Sequence, residues 1–138
     1  LQKQYDVKTY IDSRDPSMPQ ITTATTAANL KARIKKCDKF ILLATNAAID
    51  SKWCNWELGY GDAQKFKAHI RTVSVEAKGS YDSLYRGAEY LSLYPYICHE
   101  DGTSKYDNGT YIRKGYYVAT PENGVLSYQT LEHWFSNR

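Results

Sequence analysis

Lys39-Phe40-Ile41-Leu42-Leu43-Ala44-Thr45-Asn46-Ala47-Ala48-Ile49-Asp50-Ser51-Lys52-Trp53-Cys54-Asn55-Trp56-Glu57-Leu58 holds an apolar run followed by a polar, aromatic-rich segment. Its first part, Lys39 to Thr45, is the strongest apolar run in the chain. A run of that length, with no alternation, predicts a strand buried on both faces, as in a parallel sheet. Asn46 to Asp50 reads as a short loop at its carboxyl end. Asp50 or Ser51 then caps a helix that runs to about Lys67.

The sequence on either side continues the same succession of strand, loop and helix. Upstream, Leu30, Ile34 and Cys37 repeat at helical spacing, with Thr25 or Thr26 as candidate caps. Before that helix, Val7-Lys8-Thr9-Tyr10-Ile11 alternates and reads as a strand, followed by a Pro-containing loop from Asp12 to Thr25. Downstream, Ile70 to Val75 reads as a third strand. Strand–loop–helix alternation predicts an α/β fold with a parallel sheet. Beyond residue 80 the pattern changes. Tyr94 to Cys98 is a short strand, and Asp107-Asn108-Gly109 and Glu122-Asn123-Gly124 are hairpin signals around Tyr111-Ile112 and Tyr116-Tyr117-Val118. These predict a small C-terminal antiparallel β appendage, closed by a helix over Leu131 to Phe135.

Composition bounds the rest. The chain has 138 residues, enough for one domain with its own core. No apolar run is long enough to span a membrane, and the first residues have no apolar segment of the signal-peptide kind. A net charge of +3 is too small to argue for nucleic acid, and no nucleic-acid partner is expected. Cys37, Cys54 and Cys98 have no metal-ligand spacing. They read as reduced, mostly buried thiols of a cytoplasmic protein. The 13 tyrosines are the compositional oddity, and most follow residue 80.

In open α/β sheets ligands sit beyond the carboxyl ends of the strands. Asp12 to Thr25 and Asn46 to Asp50 are the two loops there. Trp53 and Glu57 are four residues apart and share a helical face, which Tyr60 and Gly61 extend. An aromatic plate beside a carboxylate suits an aromatic, sugar-bearing ligand. On spacing alone the commoner outcome is a packed tryptophan and a solvated glutamate. Gly59-x-Gly61 lies inside a helix, so it reads as close packing and not as a dinucleotide motif. His69 and His99 have no evident partner, and Cys54 has no histidine nearby in sequence to activate it. Asn108-Gly109-Thr110 reads as a turn.

The run Cys37 to Asn46, followed by Ser51-Lys52-Trp53-Cys54-Asn55-Trp56-Glu57-Leu58, resembles the Toll/interleukin receptor (TIR) domain family. Tyr10-Ile11-Asp12 before a long loop is similar to that family's second strand and BB loop. The resemblance covers Val7 to about Val75, and residues 79–138 are a divergent, Tyr-rich part of the same domain. The Gly-Tyr-Gly after the motif looks bacterial. The resemblance implies a flavodoxin-like sheet flanked by helices. It also implies that the chain begins after the family's opening strand and most of its first helix. It implies cleavage of NAD⁺ at the nicotinamide–ribose bond, with linear or cyclic ADP-ribose as product, in bacterial antiphage defence. NAD⁺ is then the substrate, with no separate cofactor and no metal. The catalytic glutamate maps onto Glu57, and the aromatic residue of cyclising members onto Trp53. Asn46 and Asp12 fall in the loops that would bind substrate. A homo-oligomer or TIR–TIR assembly is the implied state. The alternative is a non-catalytic interaction module.

Overall fold

A computed structural model describes residues 1–11, 24–65, 67–74 and 89–137. Its elements are α1 (Gln2–Tyr5), α2 (Ala24–Lys36), β1 (Phe40–Ala44), α3 (Asn46–Asp50), α4 (Lys52–Lys65), β2 (Ile70–Ser74), β3 (Tyr96–Glu100), β4 (Gly115–Glu122), β5 (Val125–Thr130) and α5 (Leu131–Ser136). Two 3₁₀ turns, Lys67–His69 and Glu89–Leu93, precede β2 and β3.

The fold is α/β, with a five-stranded mixed sheet in the order β1-β2-β3-β4-β5. The first three strands run parallel, and the last two pairings are antiparallel. The antiparallel strands expected as an appendage therefore continue the main sheet. The Glu122-Asn123-Gly124 signal is the β4–β5 turn. Asn123 and Gly124 there have φ of 51° and 78°, the left-handed pair that a tight hairpin needs. Asp107-Asn108-Gly109 is also a turn, closed by one isolated bridge, Lys105 to Tyr111, and not by two strands.

Side chains alternate across each strand, so the sheet has two faces to cover. On one face Leu42, Ala44, Leu58, Ile70 and Leu91 are buried together, with Phe40, Ile49 and Tyr94 against them. On the other, Val118, Leu131 and Trp134 form a second core with Tyr5, Ile41, Ile97 and Phe135. Helix α5 covers only part of this second face. Leu43, on the same side as Ile41, is 56% exposed. The expectation that this strand is buried on both faces thus fails at Leu43. Among the described residues β1 is an edge strand.

Four further expectations are corrected. Val7 to Ile11 is not a strand of the sheet among the described residues. Asn46–Asp50 is a helical turn, not a loop. Its N-cap is Thr45, whose Oγ1 accepts from the Ala48 N–H at 3.0 Å. Thr25 and Thr26 lie inside α2, with Thr26 buried, so neither caps it. The three cysteines are in no disulfide and are only half-buried.

Helix α5 is fixed by Trp134, which is 2% exposed. Its Nε1–H donates to the Ala68 carbonyl at 3.0 Å. The Arg71 guanidinium lies 4.8 Å and the Lys39 ammonium 5.2 Å from its ring centroid. Lys39 Nζ also donates to the Asn137 carbonyl and to His69 Nδ1. Burial holds the Arg71 pKa down, to about 10. Burial, and then the charge of Arg71, lowers that of Lys39. Lys39, His69 and Arg71 stand at the amino ends of β1 and β2, so this cluster clamps the end of the sheet away from the candidate site.

Candidate functional site

The carboxyl end of β1 is organised by short-range hydrogen bonds. Thr45 opens α3. Ser51 closes it with its N–H on the Ala48 carbonyl at 3.2 Å. The Ser51 hydroxyl then accepts from the Cys54 N–H at 3.2 Å and so caps α4. Asn55 Nδ2 reaches back to the Ile49 carbonyl at 3.0 Å. Strand, helical turn and helix are thereby tied into one unit, and the first turns of α4 start at the strand end.

An α-helix advances about 100° per residue. Leu58 and Gly61 therefore face the sheet. Leu58 is buried, and a Cβ on Gly61 would stand 3.5 Å from the Phe40 ring. Trp53, Trp56 and Tyr60 share the flank that looks toward α2. Glu57 falls between the flank and the sheet-facing side. It is half-buried, and its Oε1 is enclosed by protein. Gly59 is exposed, and a Cβ added to it would meet nothing within 4 Å. The packing role expected for both glycines therefore belongs to Gly61 alone.

Trp53 and Glu57 thus lie together one turn apart, as their spacing predicts, with Tyr60 on the same flank. The backbone of Asn46 begins the helical turn that follows the carboxyl end of β1. Asp12, and the loop it starts, lie outside the described residues. Trp56 is not among the residues expected at the site. Its ring stacks on Trp53 at 4.8 Å between centroids and on Tyr60 at 5.8 Å, with interplanar angles of 20° and 17°. Lys31 of α2 sits 5.7 Å from the Trp56 centroid and 5.4 Å from that of Tyr60. The sequence does carry a signal for it, because positions 53, 56 and 60 follow the i, i+3, i+7 rule of one helix face.

Among the described residues no group of three or more His, Cys, Asp or Glu side chains is placed to hold a metal ion. No helix there is long and apolar enough to cross a membrane. The histidines lie away from the site: His69 meets Lys39, His99 packs on Tyr116, and His133 lies beside Asn137.

No family model matches the chain, and no solved structure matches it. Among curated proteins it is similar to a probable 3′ cyclic ADP-D-ribose synthase, ThsB′, from Bacillus cereus (strain MSX-D12). The two are 42% identical over 72 residues, which is 52% of this chain and 36% of the relative. The match therefore spans about a third of the relative's length.

Proposed function

We propose that the chain is a TIR-like domain that breaks the nicotinamide–ribose bond of NAD⁺, with Glu57 as the catalytic carboxylate. The observation that carries this reading is the placing of Trp53 and half-buried Glu57 one helical turn apart on α4, at the carboxyl end of β1. The similarity to a protein named as a cyclic ADP-ribose synthase supports the same substrate. We extend the reading to residues 1–138 as one domain, acting through self-assembly, in bacterial antiphage defence.

The chemistry needs little machinery. The bond between the pyridinium nitrogen and ribose C1′ breaks with its electron pair on nitrogen, and nicotinamide leaves neutral. No general acid is required. Positive charge develops at C1′ and is shared with the ring oxygen, as in glycoside hydrolysis. A carboxylate held beside C1′ stabilises that charge, and partial enclosure strengthens the effect by excluding water. A hydroxyl of the same molecule then attacks C1′, forms the new C–O bond and releases one proton. Water in its place gives linear ADP-ribose. Trp53 supplies a flat apolar face on which a base stacks, which holds the cleaved product in place for cyclisation. Asn46 and Asp12 are the polar residues assigned to the substrate from neighbouring loops.

The reading is tested by incubating concentrated protein with NAD⁺ and separating the products. One nicotinamide per ADP-ribose species, cyclic or linear, is the expected result. No release at any protein concentration would leave the non-catalytic interaction module as the better account.

A further inference from the structure

Trp53 has two ring faces, and Trp56 covers one of them. The two indoles stack at 4.8 Å with 20° between their planes, and the stack continues to Tyr60 at 5.8 Å. Lys31, on a different helix, lies over both of the last two rings. A half-exposed tryptophan on a helix surface ordinarily has several rotamers open to it. Here a neighbouring ring of the same helix fills the space that the others would use, and α2 holds that ring from beyond. A ligand base has only the opposite face of Trp53 to stack on.

We infer that Trp56 is a positioning residue: it fixes the Trp53 indole, with Tyr60 and Lys31 behind it, so that one indole face is presented beside Glu57. This deepens the NAD⁺ reading and rests on it. Trp56 touches no reacting atom. Its contribution is to remove the ordering that Trp53 would otherwise undergo when a base binds. Aromatic pairs of this kind are worth a factor of about 2–12 in an equilibrium.

The test uses ADP-ribose as probe and tryptophan fluorescence as readout, with far-ultraviolet circular dichroism to report the stacked indole pair. Wild type is expected to bind ADP-ribose and to show the exciton couplet of two stacked indoles. Trp56→Leu should lose the couplet, keep its helical signal and bind ADP-ribose about three- to tenfold more weakly. Trp56→Phe, which restores a stacking ring, should bind within about twofold of wild type. Lys31→Met, an exposed change remote from the core, should by itself weaken ADP-ribose binding about twofold. It keeps the inference testable if Trp56→Leu fails to fold, because unchanged affinity in Lys31→Met then overturns the positioning role. Unchanged affinity in Trp56→Leu, or a Trp56→Phe as weak as Trp56→Leu, overturns the positioning role while the NAD⁺ reading stands. A wild type that does not bind ADP-ribose overturns the positioning role, and the NAD⁺ reading falls with it only where nicotinamide release is also absent.

Discussion

Glu57 and Leu58 are adjacent in sequence and differ in burial, half-buried against fully buried, because one helical step of about 100° carries a side chain from beside the flank of α4 to the sheet. The same geometry separates the two glycines. Gly59 faces solvent and fills no packing role, so Gly59→Ala should stabilise the protein by about 0.5–1 kcal/mol through helix propensity, as read by urea unfolding. Gly61 faces the Phe40 ring. An added Cβ there makes ordinary contact at 3.5 Å, whereas Gly61→Leu pushes into Phe40 and should cost about 1–3 kcal/mol. Cys98 gives a pH prediction. Burial raises its thiol pKa, and the charge of Glu100 adds to the rise. The unfolded chain therefore releases this proton first as pH increases. The stability that Cys98 contributes is complete below the ordinary thiol range and is lost as pH climbs through its folded pKa. Unfolding midpoints measured across that range should fall less steeply with pH in Cys98→Ala than in wild type.

The elements legible in the sequence are those whose signal is long or strongly apolar. The Phe40–Ala44 run, the helix through Trp53 and the closing helix stand close to where periodicity places them. Val7 to Ile11 alternates apolar with polar residues and is not a strand, because alternation describes a side-chain pattern and does not by itself place the backbone in a ladder. Asn46–Asp50 escapes a helical reading because five residues are too few to show a 3.6-residue period. The Thr45 cap is its one legible sign. That cap should matter, and Thr45→Ala should cost about 1 kcal/mol in a denaturation experiment. The tyrosines of the C-terminal half divide between packed and exposed positions. Tyr117 is packed, with its hydroxyl donating to the Arg113 carbonyl at 2.8 Å, but Tyr106, Tyr111 and Tyr116 are exposed. Composition does not say which side of a strand a tyrosine takes, and register does.

At the scale of the molecule, the sheet is held at one end and used at the other. Trp134 joins α5 to the amino ends of β1 and β2, so Trp134→Ala should cost about 3–5 kcal/mol in chemical denaturation without altering the residues around Glu57. The candidate site is legible as far as helical spacing reaches. Trp53 and Glu57 pair from the sequence because four residues make one helical turn. The contribution of Lys31 does not, since it depends on how α2 packs on α4. The mixed sheet also exceeds a local reading, because β4 joins β3 only after the long connection between them. If a single carboxylate, Glu57, carries the chemistry, nicotinamide release from NAD⁺ should differ sharply between wild type and Glu57→Gln compared at equal, high protein concentration with matched circular dichroism spectra. Wild type should release nicotinamide, and the variant should be slower by about 10²–10³-fold. Release by Glu57→Gln at the wild-type rate would remove Glu57 from the chemistry.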